Sequence, residues 1–152
     1  MSDERPPGTA AGADEPAGAR PLRVLLLDDE PLILMDLEFE MEDAGFVPLG
    51  ASTARQALAI VEAGPPDAAV LDVNLGHGTT CEAVAARLRE LGVPFVIHSG
   101  DLDRRGELVA RFDAPLLPKP SPGAAIARAV RARIAKAAPG PGGRIAPARG
   151  AV

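Results

Sequence analysis

Five short apolar runs recur along the chain, and each is followed by apolar residues at helical spacing. A run of this length bounded by polar residues is typical of a strand buried on both faces. Strands that alternate with helices form a parallel sheet with helices on both sides. The sequence therefore predicts an α/β domain. The runs are RVLLL (23–27), FVPLGA (46–51), AAVLDV (68–73), PFVIHSG (94–100) and APLLPK (114–119).

The second run contains Pro48, which has no N–H to donate to a neighbouring strand. This strand is therefore expected at an edge of the sheet. Among doubly wound sheets, that position selects the strand order 2-1-3-4-5. The predicted fold is a flavodoxin-like (βα)5 sheet of five parallel strands.

Composition and charge limit the class of protein. Apolar residues make up 47% of the chain, no stretch of about 18 consecutive apolar residues occurs, and there is one Cys. These features favour a cytoplasmic protein without a membrane segment, and the net charge of −5 argues against nucleic acid as a partner. Residues 1–21 and 139–152 are rich in Pro, Gly and Ala, so we expect disordered tails around one folded domain, 22–138.

Polar residues stand where four of the predicted strands end. In an open parallel sheet, ligands bind beyond the carboxyl ends of the strands, at the point where the strand order reverses. That point lies between the first and third strands. We therefore expect these side chains to share one crevice: Asp28, Asp29, Asp72, Ser99 and Lys119.

Three converging carboxylates repel one another unless a cation neutralises them. Oxygen ligands of this kind suit a hard cation, which points to Mg²⁺. Lys119 supplies a compact positive charge that suits a phosphoryl oxygen, in a chain with fourteen Arg and two Lys. A cation, an amine, a hydroxyl and a carboxylate nucleophile together describe a phosphoryl-transfer site. Each residue alone also has an ordinary interpretation, as a helix cap, a turn residue or a solvated charge.

The motifs LLLDDEP, AVLDVNLGHG, VIHSG and LLPKP, taken as a set, closely resemble the receiver domains of bacterial two-component response regulators. The resemblance covers about residues 22–137. The stretches VLDVNLGHGTT and GVPFVIHSG are most similar to single-domain receivers, which have no attached output module, and we expect a stand-alone regulator.

This resemblance implies a role for each site residue. Asp72 would accept a phosphoryl group from a histidine kinase or a phosphotransfer protein. Asp29 would ligate Mg²⁺ directly, with Asp28 assisting. Asn74 would add its backbone carbonyl to the metal ligands. The phosphoryl oxygens would be held by Ser99 and Lys119, and the side chains that modulate hydrolysis of the acyl phosphate would be Asn74 and Asp101. The protein would not be a conventional enzyme.

The resemblance also bears on partners and on signalling. Residues 28–43 carry eight acids and no base, and helix 31–44 matches the element on which receivers commonly dock kinases; a simple solvated face is the alternative. The basic stretch 128–136 leaves open a homodimer. Leu116 stands three residues before Lys119, where many receivers have a Tyr or Phe that moves on phosphorylation.

Two further residues could carry chemistry, and two other functions are compatible with the sequence. His77 is expected to be an exposed loop residue, and Cys81 a buried, unreactive thiol. A receiver-fold binding module that works without phosphorylation is the main alternative, favoured by Leu116. A metal-dependent phosphohydrolase is the other, but Asp72 does not form an Asp-x-Asp pair of nucleophile and acid, because Asn74 stands two residues after it.

Overall fold

A computed structural model describes residues 20–137. The predicted tails, apart from residues 20 and 21, lie outside the described residues. Within the described part, every helix is too short or too polar to span a lipid bilayer. The strands are β1 (Arg23–Leu27), β2 (Val47–Ala51), β3 (Ala68–Leu71), β4 (Phe95–Ser99) and β5 (Leu116–Pro118). The helices are α1 (Pro31–Asp43), α2 (Ala54–Ala63), α3 (Glu82–Glu90), α4 (Arg105–Phe112) and α5 (Gly123–Ala137), with a 3₁₀ turn at Leu102–Arg104.

The five strands form one sheet in the order β2-β1-β3-β4-β5, and all neighbouring pairs are parallel. The predicted fold and strand order are therefore confirmed. Strand β2 lies at the edge, where its Pro48 pairs in register with Val24 of β1. Proline is tolerated there because, within residues 20–137, no strand lies on the outer side of β2 that would need a hydrogen bond from this position.

The sheet separates two apolar cores. Successive side chains of a strand point to opposite faces, so Leu25 and Leu27 of β1 join one core while Val24 and Leu26 join the other. Helices α2, α3 and α4 contribute to the first core, and α1 and α5 contribute to the second. Because both faces are covered, the strands read as continuous apolar runs instead of alternating ones.

Two adjacent hydroxyl residues, Ser52 and Thr53, precede helix α2, and either could cap it. Thr53 has the cap position, and its Oγ1 accepts a hydrogen bond of 3.0 Å from the Gln56 N–H. Ser52 donates its own N–H to Oε1 of Gln56 at 2.8 Å. Ser52 and Thr53 thus both help to cap the helix. Gln56 donates its backbone N–H to Thr53 and accepts the Ser52 N–H with its side-chain oxygen.

The Thr53→Ala variant is expected to lower the free energy of unfolding by about 1 kcal/mol, because the Gln56 N–H loses its acceptor. Urea denaturation of the purified protein measures this change. Thr53→Ser keeps the hydroxyl and should remain within about 0.5 kcal/mol of the wild type. Equal losses in the two variants would contradict the assignment of Thr53 as the cap.

Candidate functional site

Polar residues cluster at the carboxyl edge of the sheet, as the strand order requires. The backbone sets their positions. The N–H of Asp72 donates to the carbonyl of Leu27 at 2.9 Å, and the N–H of Asp28 donates to the carbonyl of Ala51 at 3.1 Å. The hydrogen-bond ladders that join β1 to β3 and β1 to β2 thus continue one residue beyond the strands. They hold the Asp28 and Asp72 carboxylates side by side. The residues that end or follow the strands here are Asp28, Asp29, Asp72, Ser99 and Lys119.

Three carboxylates meet at this edge. Asp28, Asp29 and Asp72 each offer one oxygen, and these three atoms lie within 4.8 Å of one another. Asp28 is completely buried and Asp72 is 6% exposed, whereas Asp29 is half-buried. Negative charges this close and this poorly hydrated repel strongly, so the arrangement requires compensating positive charge.

Lys119 provides part of that charge. Its Nζ lies 3.0 Å from Oδ2 of Asp28, 3.1 Å from Oδ2 of Asp72 and 3.9 Å from Oε1 of Glu30. Burial by itself would lower the pKa of the Lys119 amine. The attraction of the Asp28 and Asp72 carboxylates outweighs that effect, so the pKa is raised and the amine stays protonated.

The carboxyl group of Asp72 has a strongly raised pKa. Burial is the largest cause, the negative charges of Asp28 and Asp29 act in the same direction, and Lys119 opposes them. Together they raise the pKa of Asp72 from 3.8 to about 7. Near pH 7 the Asp72 carboxyl group is therefore only partly ionised, even with the Lys119 amine beside it.

The oxygen atoms fit a hard divalent cation. Oδ1 of Asp28 accepts a hydrogen bond of 3.0 Å from the Glu30 N–H, which orients the carboxylate. Its buried Oδ2 faces Lys119 as an ion pair but receives no aligned hydrogen bond, so lone-pair capacity is left for a cation. A set made only of carboxylate oxygens matches the ligand preference of Mg²⁺.

The remaining predicted residues line the same open cleft, which has a volume of about 550 Å³. We call it the acidic cleft. Ser99 is buried, and its Oγ accepts a hydrogen bond of 3.1 Å from the Asp101 N–H, which leaves its proton free to be donated. Asn74 lies on the exposed side, where its backbone pairs with Thr80. The cleft is lined by Asp29, Glu30, Asp72, Asn74, Ser99, Gly100, Asp101 and Lys119.

Three other candidate residues lie outside the acidic cleft. His77 is exposed in the loop after β3, with a positive φ of 52°. Cys81 is fully buried at the start of α3, and burial, with a smaller contribution from Asp72, raises the pKa of its thiol to about 12. A thiol with that pKa is protonated and unreactive at neutral pH. Leu116 is buried within the first core.

Sequence reasoning missed two neighbours of the site. Glu30 stands directly before α1 and lines the cleft. In the sequence it is marked only as the last of three consecutive acids, residues 28–30. His98 lies inside β4 and is 4% exposed. The one available signal for His98 was a polar residue within an otherwise apolar strand run.

Comparisons with known proteins agree with this arrangement. No protein-family model matches the chain. The transcriptional regulatory protein KdpE of Mycobacterium tuberculosis is 30% identical over 87 residues, which cover 57% of this chain and 38% of KdpE. The chain thus spans well under half the length of this curated relative.

Solved structures are similar over most of the described residues. A response regulator receiver protein from Sinorhizobium medicae WSM419 is 28% identical with a TM-score of 0.68, covering 78% of this chain and 98% of that protein. A CheY-like receiver domain protein from Methanospirillum hungatei JF-1 is 20% identical with a TM-score of 0.68, covering 78% of this chain and 97% of its own, and it supports the fold alone. The strand order, the polar residues at the strand ends and these likenesses lead to one conclusion: the chain has the fold of response regulator receiver domains and is similar to them in sequence.

Proposed function

We propose that Asp72 accepts a phosphoryl group from a phosphohistidine of a histidine kinase or phosphotransfer protein, in a reaction that depends on Mg²⁺. One observation carries the proposal. Three carboxylate oxygens lie within 4.8 Å of one another, and Nζ of Lys119 is 3.1 Å from Asp72. A structural ion pair needs one acid and one base, whereas this excess of acid over base suits a site that binds a cation and a phosphoryl group.

The transfer exchanges one bond for another. An Oδ of ionised Asp72 attacks phosphorus, the P–N bond of the phosphohistidine breaks, and its electron pair returns to the imidazole nitrogen. Lys119 and the Ser99 hydroxyl hold the phosphoryl oxygens, since both line the cleft with Asp72. Their positive charge and hydrogen bond stabilise the negative charge on those oxygens during transfer.

The residues proposed to hold Mg²⁺ are Asp29, Asp28, Asp72 and the backbone carbonyl of Asn74. A bound divalent cation would neutralise the carboxylates and the phosphoryl oxygens. Hydrolysis reverses the modification: water attacks phosphorus, the bond between phosphorus and the Asp72 oxygen breaks, and inorganic phosphate leaves. Asn74 and Asp101 line the cleft on its open side, from which they can orient this water.

The phosphorylated domain would signal by contact with another protein or by relay of the phosphoryl group, as a cytoplasmic regulator. Five acids and no base lie on α1, next to the acidic cleft. This helix is the proposed docking element for the phosphodonor, because opposite charge speeds productive encounter. We keep one second candidate, a binding module independent of phosphorylation, because Leu116 is a buried aliphatic core residue where many receivers carry a mobile aromatic.

Incubation with acetyl phosphate and MgCl₂, followed by intact mass measurement, tests the proposal. The wild type should gain the mass of one phosphoryl group, and chelation of the metal should abolish that gain. Asp72→Ala should gain none, because the attacking oxygen is gone. Asp113→Asn is the matched control, since Asp113 is an exposed acid that precedes β5 at the opposite edge of the sheet. Equal phosphorylation of Asp72→Ala and wild type would refute the assignment.

A further inference from the structure

The loop that joins β3 to α3 contains a tight hairpin, which begins at Asn74 and ends at Thr80. We call it the β3–α3 hairpin. Its two end residues form an antiparallel bridge, and the N–H of Leu75 donates to the carbonyl of Thr79 at 3.0 Å. The carbonyl of Gly76 accepts two hydrogen bonds, from the Thr79 N–H at 2.9 Å and from the Thr79 hydroxyl at 2.8 Å. These hydrogen bonds hold the backbone of Gly76 in place.

Three consecutive residues of the β3–α3 hairpin have a positive φ: Gly76 at 83°, His77 at 52° and Gly78 at 75°. Glycine adopts such angles at little cost because it has no Cβ. The two glycines differ in what surrounds them. A Cβ at position 78 would meet nothing within 4 Å, whereas a Cβ at position 76 would lie 3.2 Å from Oδ2 of Asp29. Backbone angle alone therefore accounts for Gly78, but Gly76 also has a close neighbour in the acidic cleft.

That neighbour is the least restrained of the three clustered carboxylates. Asp28 and Asp72 each pair with Lys119, at 3.0 and 3.1 Å. The Asp29 carboxylate has no ion-pair or hydrogen-bond partner among residues 20–137, yet one of its oxygens lies within 4.8 Å of the other two acids. Its Oδ2 occupies the space that a side chain at position 76 would fill. The missing Cβ of Gly76 therefore decides where this oxygen can lie.

A small displacement of that oxygen matters more to a cation than to the fold. A methyl group at position 76 would be closer to Oδ2 of Asp29 than an ordinary van der Waals contact, so the oxygen would have to move by a few tenths of an ångström. The end of a side chain can make such a shift easily. Mg²⁺ requires nearly ideal octahedral geometry with oxygen ligands at about 2.1 Å, so the same shift weakens its binding.

We propose that Gly76 is a positioning residue for the cation: it leaves the space in which the Asp29 carboxylate lies ready to ligate Mg²⁺. This inference rests on the proposed function, because it takes Asp29 as a ligand of the cation. Gly76 touches neither the cation nor phosphorus in this proposal. It acts through Asp29, in the way that groups behind a metal ligand orient the ligand.

Calorimetric titration with MgCl₂, without any phosphodonor, measures the dissociation constant of Mg²⁺ for each variant. Gly76→Ala should raise this constant roughly tenfold, the size of effect expected when the orientation of a metal ligand is disturbed. Gly78→Ala is the matched control, because it adds the same methyl group at a similar φ in the same hairpin but into open space. It should leave the dissociation constant unchanged.

Thermal unfolding in the presence of a chelator separates positioning from backbone strain. Gly76→Ala and Gly78→Ala both force alanine to a positive φ, so both should lower the unfolding midpoint by similar amounts. Gly76→Asn adds the same Cβ, but asparagine tolerates a positive φ better than alanine. It should therefore be more stable than Gly76→Ala and still bind Mg²⁺ more weakly than the wild type. In an Asp29→Ala background, Gly76→Ala should weaken Mg²⁺ binding no further, because the two residues act as one unit.

The possible outcomes distinguish the positioning role from the proposed function. If the wild type and both Gly76 variants bind Mg²⁺ equally, the positioning role is overturned while the proposed function stands. If Gly76→Ala and Gly78→Ala weaken binding equally, strain in the hairpin is the cause and the positioning role is again overturned. If the wild type binds no Mg²⁺, the proposed Mg²⁺-dependent function itself fails.

Discussion

Without divalent metal, the wild-type protein is expected to become less stable than its Asp72→Asn variant as the pH rises from about 4 to about 8. Asp72 has an ordinary pKa of 3.8 and a folded-state pKa of about 7. Between these values the folded protein holds a proton that the unfolded chain has released. The free energy of unfolding therefore falls as the pH rises through this window. At 1.36 kcal/mol per pKa unit, the full difference is on the order of 4 kcal/mol.

The sign distinguishes this carboxyl group from a salt-bridged one. A carboxylate with a depressed pKa stabilises the fold above its unfolded pKa, and that stability is lost as the pH falls. Asp67 is of that kind: although burial acts to raise its pKa, the Arg20 side chain and the backbone N–H of Arg23 outweigh it and lower the pKa. Subtracting the Asp72→Asn curve from the wild-type curve cancels such groups, because both proteins contain them.

Urea denaturation in buffers containing a chelator, at intervals from pH 4 to pH 8, measures the difference. Addition of MgCl₂ at pH 8 should restore much of the lost stability to the wild type, because a ligand that binds only the folded state stabilises it by mass action. Asp72→Asn lacks one of the three carboxylates and should respond less. Parallel curves for the two proteins across the whole range would show that burial and repulsion do not act on Asp72 as described.

Strand order and sheet direction could be predicted from particular residues. Pro48 excluded β2 from the centre of the sheet, and the apolar runs marked all five strands. Element ends were less predictable, because they depend on hydrogen bonds that several neighbouring residues can make. Either Ser52 or Thr53 could have capped α2, and the position of the Gln56 side chain relative to both decided between them.

The residues of the site could be predicted because they end or follow strands. The contacts and distances between their side chains could not. The topology rule brought Asp28, Asp72 and Lys119 to one edge of the sheet. That the amine contacts both carboxylates at 3.0 and 3.1 Å depends on the reach of a flexible side chain, which no spacing reveals. The sequence places His98 within a strand, but its lack of a hydrogen-bond partner among residues 20–137 arises from how α1 and α5 pack over β4. Tertiary packing of this kind leaves no local pattern in the sequence.

Lys119→Met should be the most destabilising single change at the site, lowering the free energy of unfolding by about 3 kcal/mol at pH 8 without metal. Met keeps most of the apolar stem but removes the charge that faces Asp28 and Asp72. A buried carboxylate without its cation costs several kcal/mol, and Asp28 is completely buried. Urea denaturation measures the loss, and Lys136→Met is the matched control, because Lys136 is exposed near the end of α5.

A double-variant cycle isolates the pair of Asp28 and Lys119 from other effects. Asp28→Asn removes the charge but retains an oxygen that can accept the hydrogen bond from the Glu30 N–H. The combined Asp28→Asn, Lys119→Met variant should therefore be more stable than Lys119→Met alone, and the two single effects should fail to add. The loss in Lys119→Met should also shrink as the pH falls toward 5, because protonation of Asp72 removes one of the uncompensated charges. Strict additivity, or a loss no larger than that of Lys136→Met, would mean that Lys119 does not neutralise the buried carboxylates.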